Sequence, residues 1–354
     1  MRLASIGVVP GKLASACRFR ASCLLVLLLP ALLGACSTVR QPEPEGRPKS
    51  ELWPQPIRSI GLMAHTASLA LGLTSLGAGP PAATAADAPQ AIRRSCDREK
   101  PGVTWLGHSS AIINIGGQCI LTDPILISDS PEGLLPKRLT PWAASVDDLP
   151  GIDAIIFSHG DYDHLHAPTL RLLANRFPHA LVLAPTGVAA RIAASGYPEA
   201  REMREGQATT LGGVRILALP AYHETRRNVA GLRTGGALSW EVSHGRSKIM
   251  FIGDTAYGPA YSDIGKARGP YDLVLVPIGA YEPRHLVSDM HANPEEAAQI
   301  ARDLRAGLAV GIHWGTFALS PDRPQDAVRR FQAAGSRIGV PTRLLHLGET
   351  VDLR

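Results

Sequence analysis

Short apolar runs separated by polar and glycine-containing segments dominate the chain from residue 101 onward. Runs at 103–106, 111–115 and 118–122 are rich in Val and Ile and are too short for helices, so they predict strands. Similar runs predict further strands at 154–157, 180–184, 214–219, 237–242, 248–252, 273–277 and 308–312.

Between these runs, the pattern predicts helices at 168–176, 188–194, 293–305 and 325–334. The clearest helix start is Asn293-Pro294-Glu295-Glu296. Asn is a good N-cap, Pro suits the first turn, and the two Glu lie at the positive end of the helix dipole. The mixture of elements predicts an α/β domain with two halves, each of which begins with strands.

The first 35 residues have the order of a secretory signal. Their charged residues are all basic, and an apolar run at 24–33 follows them. Leu33-Gly34-Ala35-Cys36 resembles a bacterial lipobox, which predicts acylation of Cys36; a plain signal peptide or an uncleaved anchor are the alternatives. Ser37 after the cysteine indicates, by resemblance to lipoprotein sorting, a periplasm-facing lipoprotein of the cell envelope, attached to the outer membrane.

Residues 37–58 are rich in Pro, Glu, Arg and Lys and predict a disordered tether. Residues 59–86 contain no Asp, Glu, Lys or Arg, which favours a linker, with a membrane-associated segment as the alternative. The composition becomes that of a folded domain near residue 91. The predicted organisation is a signal at 1–35, a flexible tether at 36–90 and a single catalytic domain at 91–354.

Charge and cysteine content exclude two interpretations. The formal net charge is +5, but without the four basic residues of the signal it falls to +1, so no nucleic-acid partner is predicted. Of the five cysteines, only Cys96 and Cys119 lie beyond Cys36, too few for a disulfide framework. Whether these two pair or stay as thiols is left open.

The segment Ser158-His159-Gly160-Asp161-Tyr162-Asp163-His164 directly follows the predicted strand 154–157. It places four side chains that can ligate metal within six residues. A buried strand is a rigid support, and imidazole with carboxylate suits a divalent ion such as zinc, manganese or iron. The segment therefore predicts a metal-dependent hydrolase.

Three further candidates share this setting. His223, Asp254 and His313 each follow an apolar run that predicts a strand. Polar residues just past strand ends gather at one edge of a sheet, where α/β proteins place their sites. A single His or Asp in such a position is usually structural, but three of them beside a ligand cluster indicate one joint site.

The order of these elements resembles the metallo-β-lactamase superfamily, whose first motif is His-x-His-x-Asp-His, followed by a distant His, an Asp after Gly, and a last His. The resemblance implies an αββα sandwich with two divalent ions. One ion would be held by His159, Asp161 and His223, and the other by Asp163, His164 and His313. Asp254 would bridge them.

A narrower resemblance, to the phospholipases D that hydrolyse N-acylphosphatidylethanolamine, covers residues 101–320. It rests on motifs such as Trp105-Leu106-Gly107-His108-Ser109, Pro136-Lys137-Arg138, Gly253-Asp254-Thr255-Ala256-Tyr257 and Ile312-His313-Trp314-Gly315-Thr316-Phe317. It implies a phospholipid substrate that is hydrolysed by a metal-activated hydroxide to an N-acylethanolamine and phosphatidic acid. It also implies a homodimer.

The resemblance assigns catalytic roles to three residues. Asp163 and Asp254 would act through the metals, and His291 would contact substrate or relay a proton, with a capping role as the alternative. His108 and Asp123 would support the ligands.

The chain departs from the family pattern at Asp161, where the motif has His. An aspartate can still ligate zinc, which is the expected metal, but its oxygen shifts the preference toward manganese or iron. His166 is close enough in sequence to compensate, although a supporting or structural role is favoured.

Other interpretations stay open at this stage. The same frame serves hydrolases of soluble phosphodiesters, lactones or thioesters, and a lipoprotein that binds metal or lipid without turnover would also fit. Hydrolysis of antibiotics is disfavoured by the specific motifs. Arg226 and Arg227 would meet an anionic lipid surface or form a solvated pair, and Arg284 would bind a lipid phosphate or make a structural contact with Glu282.

Overall fold

The computed structural model describes residues 82–97, 99–127, 138–142, 145–227 and 233–353. The predicted signal at 1–35, Cys36 and most of the predicted tether lie outside these residues, as do Pro136 and Lys137. Within the described ranges, no helix combines the length and the apolar character needed to cross a membrane.

The strands form two mixed sheets of seven strands each. In the first sheet the order is β14-β1-β2-β3-β4-β5-β6. Its strands are β1 (Gly102–Gly107), β2 (Ser110–Ile115), β3 (Gln118–Thr122), β4 (Ala154–Ile156), β5 (Leu181–Pro185), β6 (Arg201–Met203) and β14 (Thr350–Asp352). The pairs among β14, β1, β2 and β3 are antiparallel, and those from β3 to β6 are parallel.

The second sheet repeats this plan, with the order β13-β12-β11-β10-β9-β8-β7. Its strands are β7 (Ala208–Leu211), β8 (Val214–Pro220), β9 (Leu238–His244), β10 (Ser247–Phe251), β11 (Leu273–Pro277), β12 (Ala309–Ile312) and β13 (Thr342–Arg343). The pairs from β7 to β10 are antiparallel and those from β10 to β13 are parallel. The predicted division into two halves that each begin with strands is confirmed.

The helices lie between and after these strands. They are α1 (Ala88–Arg93), α2 (Ala167–Arg176), α3 (Ala189–Ala193), α4 (Ala260–Arg268), α5 (Arg284–Val287), α6 (Pro294–Asp303) and α7 (Pro324–Ile338), with a 3-10 helix at Val146–Asp148. The capping role of Asn293 is confirmed, because its side chain accepts the backbone N–H of Glu296 at 2.8 Å. Helix α7 extends past the predicted residue 334 and ends at Gly339, which has the left-handed conformation (φ 74°) that favours glycine.

The alternation of side chains along the second sheet places its two faces in different cores. Ile216 and Ala218 on β8 belong to a cluster that also contains buried residues of the first sheet, so this core fills the space between the sheets. Leu217 and Leu219 belong to a second cluster with buried residues of α4, α6 and α7. The sheets therefore pack face to face, with helices outside the second sheet.

The folded domain includes residues that the composition assigned to the tether. Ala82 donates its N–H to the carbonyl of Gly315 at 3.1 Å, Ala85 donates to Leu347 at 2.9 Å, and Ala88 is fully buried. The boundary predicted at 90 is therefore too late. Short Ala- and Gly-rich stretches look like linker by composition even when they pack against loops.

Cys96 and Cys119 form a disulfide with a Cα–Cα distance of 5.7 Å, within the normal range for a bridge. The bridge connects the segment after α1 to the start of β3. The question that the sequence left open is answered in favour of the pair.

Candidate metal centre

Several strands end at one edge of the molecule, and each delivers a polar side chain there. In the first sheet β3 and β4 are parallel, and in the second β10, β11 and β12 are parallel, so their carboxyl ends meet. The residues that follow β1, β3, β4, β8, β10 and β12 are His108, Asp123, the cluster at 159–164, His223, Asp254 and His313, respectively. The structure thus brings every predicted ligand to the same place.

The first group contains His159, Asp161 and His223. The Oδ2 atom of Asp161 lies 3.6 Å from Nε2 of His159 and 3.7 Å from Nε2 of His223. Nδ1 of His223 lies 3.1 Å from the carbonyl oxygen of Met290, and this contact requires a proton on Nδ1. The Nε2 atom of His223 is then left with its lone pair toward Asp161, as a metal ligand needs.

The second group contains His164, His313 and Asp163. The Oδ2 atom of Asp163 lies 3.6 Å from Nε2 of His164 and 3.5 Å from Nε2 of His313. Asp254 adds a second carboxylate, with Oδ2 at 3.3 Å and 3.1 Å from the same two nitrogens. The ligand atoms of Asp254, His159 and His223 also lie within 4.8 Å of one another. Asp254 therefore lies between the two groups, where a bridging residue is expected.

Both groups fit divalent metal ions. The Nε2 atoms of His159, His164, His223 and His313 are buried and have no hydrogen-bond partner among the described residues; the carboxylates near them are not aligned as acceptors. Buried polar atoms are rarely left unpaired in folded proteins. Ligands roughly 2.0–2.1 Å from a tetrahedral zinc ion lie about 3.3 Å apart, close to the separations within each group.

The electrostatics of the second group favour a cation at the same point. Burial favours the neutral carboxyl group, but the charges of His313 and His164 hold the pKa of Asp254 well below its usual value. Burial likewise opposes protonation of His313, yet the negative charges of the nearby Asp254 and Asp163 raise its pKa to about 9. The carboxylates thus create a negative potential that attracts a proton or a metal ion to the imidazole nitrogens.

The local backbone is bent to bring these groups together. His108, Asp123 and His313 all adopt positive φ angles, of 53°, 32° and 60°, directly after a strand. Such angles are uncommon outside glycine and concentrate at functional sites. Gly253, just before Asp254, has φ 68°, and a Cβ there would lie 2.2 Å from Cβ of Ser158, so only glycine lets the two strand ends approach.

Comparison with known proteins agrees with this geometry. A Beta-lactamase superfamily domain matches residues 119–314, more than half of the chain. The chain belongs to the metallo-β-lactamase superfamily. An uncharacterised protein of Mycobacterium tuberculosis is 36% identical over 264 residues, which cover 72% of this chain and 70% of the relative.

A second relative is named for an enzymatic activity. The N-acyl-phosphatidylethanolamine-hydrolyzing phospholipase D 1 of Caenorhabditis elegans is 30% identical over 247 residues, which cover 65% of this chain and 69% of the relative. Among solved structures, the metallo hydrolase Igni18 of Ignicoccus hospitalis matches with a TM-score of 0.53 at 20% identity, covering 72% of this chain and 99% of Igni18. The structural likeness confirms the predicted fold class.

Two residues support the ligands from behind, in the positions predicted for them. The Oδ2 atom of Asp123 lies 2.7 Å from Nδ1 of His164, and its Oδ1 atom accepts the N–H of Ser158 at 2.7 Å. The Nε2 atom of His108 lies 3.1 Å from Oδ2 of Asp163. Burial lowers the pKa of His108 to about 3, so its ring is neutral and can donate one hydrogen bond to Asp163. Contacts of this kind fix the orientation of metal ligands.

The prediction that Arg227 meets a lipid surface or solvent is wrong. Arg227 is buried and donates to the carbonyls of Gly160 at 3.1 Å and Leu165 at 2.6 Å, and its guanidinium lies 4.0 Å from the ring centroid of Tyr162. It therefore holds the backbone of the loop that carries the ligand cluster. No local sequence signal indicates this role, because the contacted carbonyls are more than 60 residues away.

Arg226 is tied to the same loop and is also not a free surface charge. Its backbone N–H donates to Oδ1 of Asp161 at 2.5 Å, and its guanidinium donates to Glu224 at 3.2 Å. Asp161, the departure from the family pattern, is thus fixed through one oxygen while the other faces His159 and His223.

His291 lies at the centre and does not cap the following helix, which begins at Asn293. Its Nδ1 lies 3.8 Å from Oδ2 of Asp254, and its ring centroid lies 5.2 Å from that of His223. Burial lowers the pKa of His291 to about 3, so the ring is neutral at physiological pH. The capping alternative is wrong, and the contact of His291 with substrate stays a prediction.

Arg284 makes structural contacts. Its guanidinium donates to the carbonyl of His291 at 2.8 Å and to the carboxylate of Glu296 at 2.9 and 3.0 Å, and its backbone N–H donates to Glu282 at 3.1 Å. Arg284 therefore holds the loop of His291 against the start of α6, and the structural contact with Glu282 that the sequence allowed is confirmed.

His166 does not compensate for Asp161. Its Nδ1 lies 2.8 Å from Oγ1 of Thr169 in the first turn of α2, and it belongs to neither ligand group. The preference for a structural role is confirmed. Asp161 itself occupies the ligand position.

Proposed function

We propose that this metal-dependent hydrolase of the metallo-β-lactamase superfamily is a phosphodiesterase of the phospholipase D type, acting on N-acylphosphatidylethanolamine-like phospholipids. The observation that carries the proposal is the convergence of two ligand groups on Asp254, in a chain that is 30% identical to a Caenorhabditis elegans protein named for this activity. A yeast relative with the same name is 31% identical over 226 residues, which cover 48% of that relative.

The proposed reaction is the addition of water across one phosphoester bond. The water oxygen bonds to phosphorus, the bond from phosphorus to the ethanolamine oxygen breaks, and the leaving alkoxide takes up a proton. The products are an N-acylethanolamine and phosphatidic acid. When bound, two divalent ions would supply a nucleophile at neutral pH and positive charge for the phosphoryl oxygens.

The residues of the chain would hold the two ions and orient the substrate. His159, Asp161 and His223 would hold one ion, Asp163, His164 and His313 the other, and Asp254 would contact both. The side chains of Asp161 and Asp163 are 23% and 17% exposed, so substrate would approach from their side. Asp163 is placed to accept a hydrogen bond from the attacking water, in addition to ligation.

His291 would bind the substrate as a neutral group. Because burial lowers its pKa to about 3, the ring is neutral at neutral pH and keeps one N–H that can be donated. Its Nδ1 atom is buried and has no hydrogen-bond partner among the described residues. It can therefore form a hydrogen bond with a phosphoryl or leaving-group oxygen, which orients the scissile bond.

An apolar groove supports a lipid substrate. It has a volume of about 720 Å³ and is lined mainly by Leu126, Ile127, Trp142, Val146 and Leu172. Leu172 is the exposed large apolar side chain among the described residues. None of the proposed metal ligands lines the groove. A series of ring contacts connects it to His108: the guanidinium of Arg138 lies over the rings of Trp142 and Phe317, and the ring of Phe317 is 5.1 Å from that of His108. In this proposal the acyl chains of the substrate would lie along the groove.

The proposed location is the periplasmic side of the outer membrane, with the chain anchored through Cys36 and near its lipid substrate. The disulfide between Cys96 and Cys119 supports an exported protein, because such bridges persist in oxidising compartments.

The deciding experiment is turnover by the full-length chain in detergent micelles. The substrates would be N-acylphosphatidylethanolamine, phosphatidylethanolamine without the N-acyl group, and bis(p-nitrophenyl) phosphate, each with added zinc or manganese. Mass spectrometry would follow N-acylethanolamine and phosphatidic acid together. We expect metal-dependent release of both, at a higher rate than hydrolysis of either comparison substrate.

Two results would contradict the proposal. Hydrolysis of the soluble diester alone would assign the chain to another hydrolase on the same frame. No hydrolysis of any substrate by protein shown to be folded and metal-loaded would favour a binding protein. The variant His291→Gln tests the role of this residue, with an expected fall in kcat of about 10²-fold and an unchanged metal content.

A further inference from the structure

The two ligand groups, which are the first and second halves of the metal centre, offer the same donor atoms. The first has two imidazole nitrogens and the Oδ2 of Asp161; the second has two imidazole nitrogens and the Oδ2 of Asp163. In both halves the carboxylate oxygen lies 3.5–3.7 Å from each nitrogen. The family motif, which has His in place of Asp161, would make the first half richer in nitrogen than the second.

Asp161 reaches this position because the loop is held around it. The N–H of Arg226 donates to its Oδ1, which orients the carboxylate so that Oδ2 faces His159 and His223. The guanidinium of Arg227 binds the carbonyls on both sides, at Gly160 and Leu165. The shorter side chain is thus compensated by a fixed backbone, and the oxygen is available to a single metal ion.

Two imidazoles and one carboxylate with positions left open occur in sites for zinc and for iron(II), but a carboxylate in place of an imidazole shifts the preference toward manganese(II) or iron(II). Three carboxylates surround the centre, from Asp161, Asp163 and Asp254. We propose that Asp161 makes the first half equivalent to the second, so that the centre binds two manganese(II) or iron(II) ions with similar affinity and prefers zinc less than a His-containing first half would. This inference rests on the metal centre of the proposed function but not on its substrate.

The test uses manganese(II) alone as the first probe. The full-length chain, freed of metal by a chelator and kept in detergent, would be titrated with manganese(II) and followed by electron paramagnetic resonance. We expect two equivalents, with Kd values within about tenfold of each other because the donor sets match, and the spectrum of a coupled pair at saturation. Binding of a single equivalent, or two Kd values that differ by more than about tenfold, would overturn the proposal.

The variant Asp161→His restores the nitrogen donor. We expect it to weaken one manganese(II) site by about tenfold or more and to tighten zinc binding at that site, measured by competition with a zinc indicator. The variant Asp263→His, at an exposed carboxylate on α4, is the matched control and should titrate as wild type. Identical manganese and zinc constants in Asp161→His and wild type would show that Asp161 does not set the preference.

These measurements separate the two proposals. Two matched manganese(II) sites without hydrolysis of N-acylphosphatidylethanolamine would retain the metal assignment and reject the substrate. Hydrolysis of N-acylphosphatidylethanolamine by a protein with unequal manganese(II) sites would retain the substrate and reject the metal assignment.

Discussion

Two clusters of buried carboxylates lie on the second half of this fold, and their surroundings differ. Glu241 on β9 receives the guanidinium of Arg268 at 2.6 and 2.7 Å and the hydroxyl of Tyr271 at 2.7 Å. Asp254, which follows the neighbouring strand β10, faces imidazoles whose Nε2 atoms have no hydrogen-bond partner among the described residues.

The contrast separates structural burial from functional burial. At Glu241 each charge is matched by a fixed partner, and such a network stabilises the fold without a ligand. At Asp254 the donors point to common centres and leave nitrogen lone pairs unused, a cost that folded proteins rarely accept without a function. Both clusters contain a buried carboxylate, Glu241 within β9 and Asp254 just after β10, so acidity alone would not have distinguished them.

The largest effect should come from Asp254→Asn. We expect a fall in kcat/KM of at least about 10³-fold, since the charge shared by both ligand groups is lost. Hydrolysis of N-acylphosphatidylethanolamine and the metal content per chain would be measured together, with circular dichroism as the control for folding. Full activity in a metal-replete variant would refute the bridging assignment.

Metal removal should have the next largest effect. A ligand present at 100 times its Kd adds about 2.7 kcal/mol to stability, so a chelator should lower Tm and added manganese should restore it. The stabilisation should weaken as the pH falls, because protons compete for nitrogens such as that of His313, whose pKa is raised to about 9. Thermal melts at several pH values would show this, and an unchanged Tm would contradict a bound metal.

The variant Glu241→Gln should affect stability alone, by about 2 kcal/mol at pH 7, because charge-assisted hydrogen bonds are lost. Although burial opposes it, hydrogen bonds from Arg268 and Tyr271 lower the pKa of Glu241 below its usual 4.5. Its contribution is therefore complete above pH 4.5 and lost as the pH falls through the lowered value.

Urea unfolding of wild type and Glu241→Gln from pH 7 to pH 4 would measure this difference. The gap between the two proteins should narrow only at the acidic end. A loss of turnover in Glu241→Gln comparable to that of Asp254→Asn would remove the distinction between the clusters.

The sequence predicts the strands that carry the site because those strands are buried. The runs that became β8, β10 and β12 are mostly apolar and buried, and His223, Asp254 and His313 follow them within three residues, so both the strand and its site residue are visible. Strands β6, β7, β13 and β14 were not predicted, since they are short and partly exposed and lack an apolar run. Helices α1, α4 and α5 were not predicted either, because they are short and their buried positions are few.

Contacts between distant parts of the chain are what the sequence does not reveal. Arg227 looks like a surface charge until the carbonyls of Gly160 and Leu165 are placed around it. The approach of Gly253 to Ser158 is likewise a property of two strand ends that are far apart in sequence. The ligand types were therefore predictable, whereas the groups that hold them in place were not.

The point at which the chain joins the folded domain has a geometric consequence. Ala82 binds the backbone of Gly315, two residues after His313, so the upstream chain leaves from the edge that carries the metal centre. Under the proposed anchoring through Cys36, the anchored part of the chain would therefore join the domain on its catalytic side.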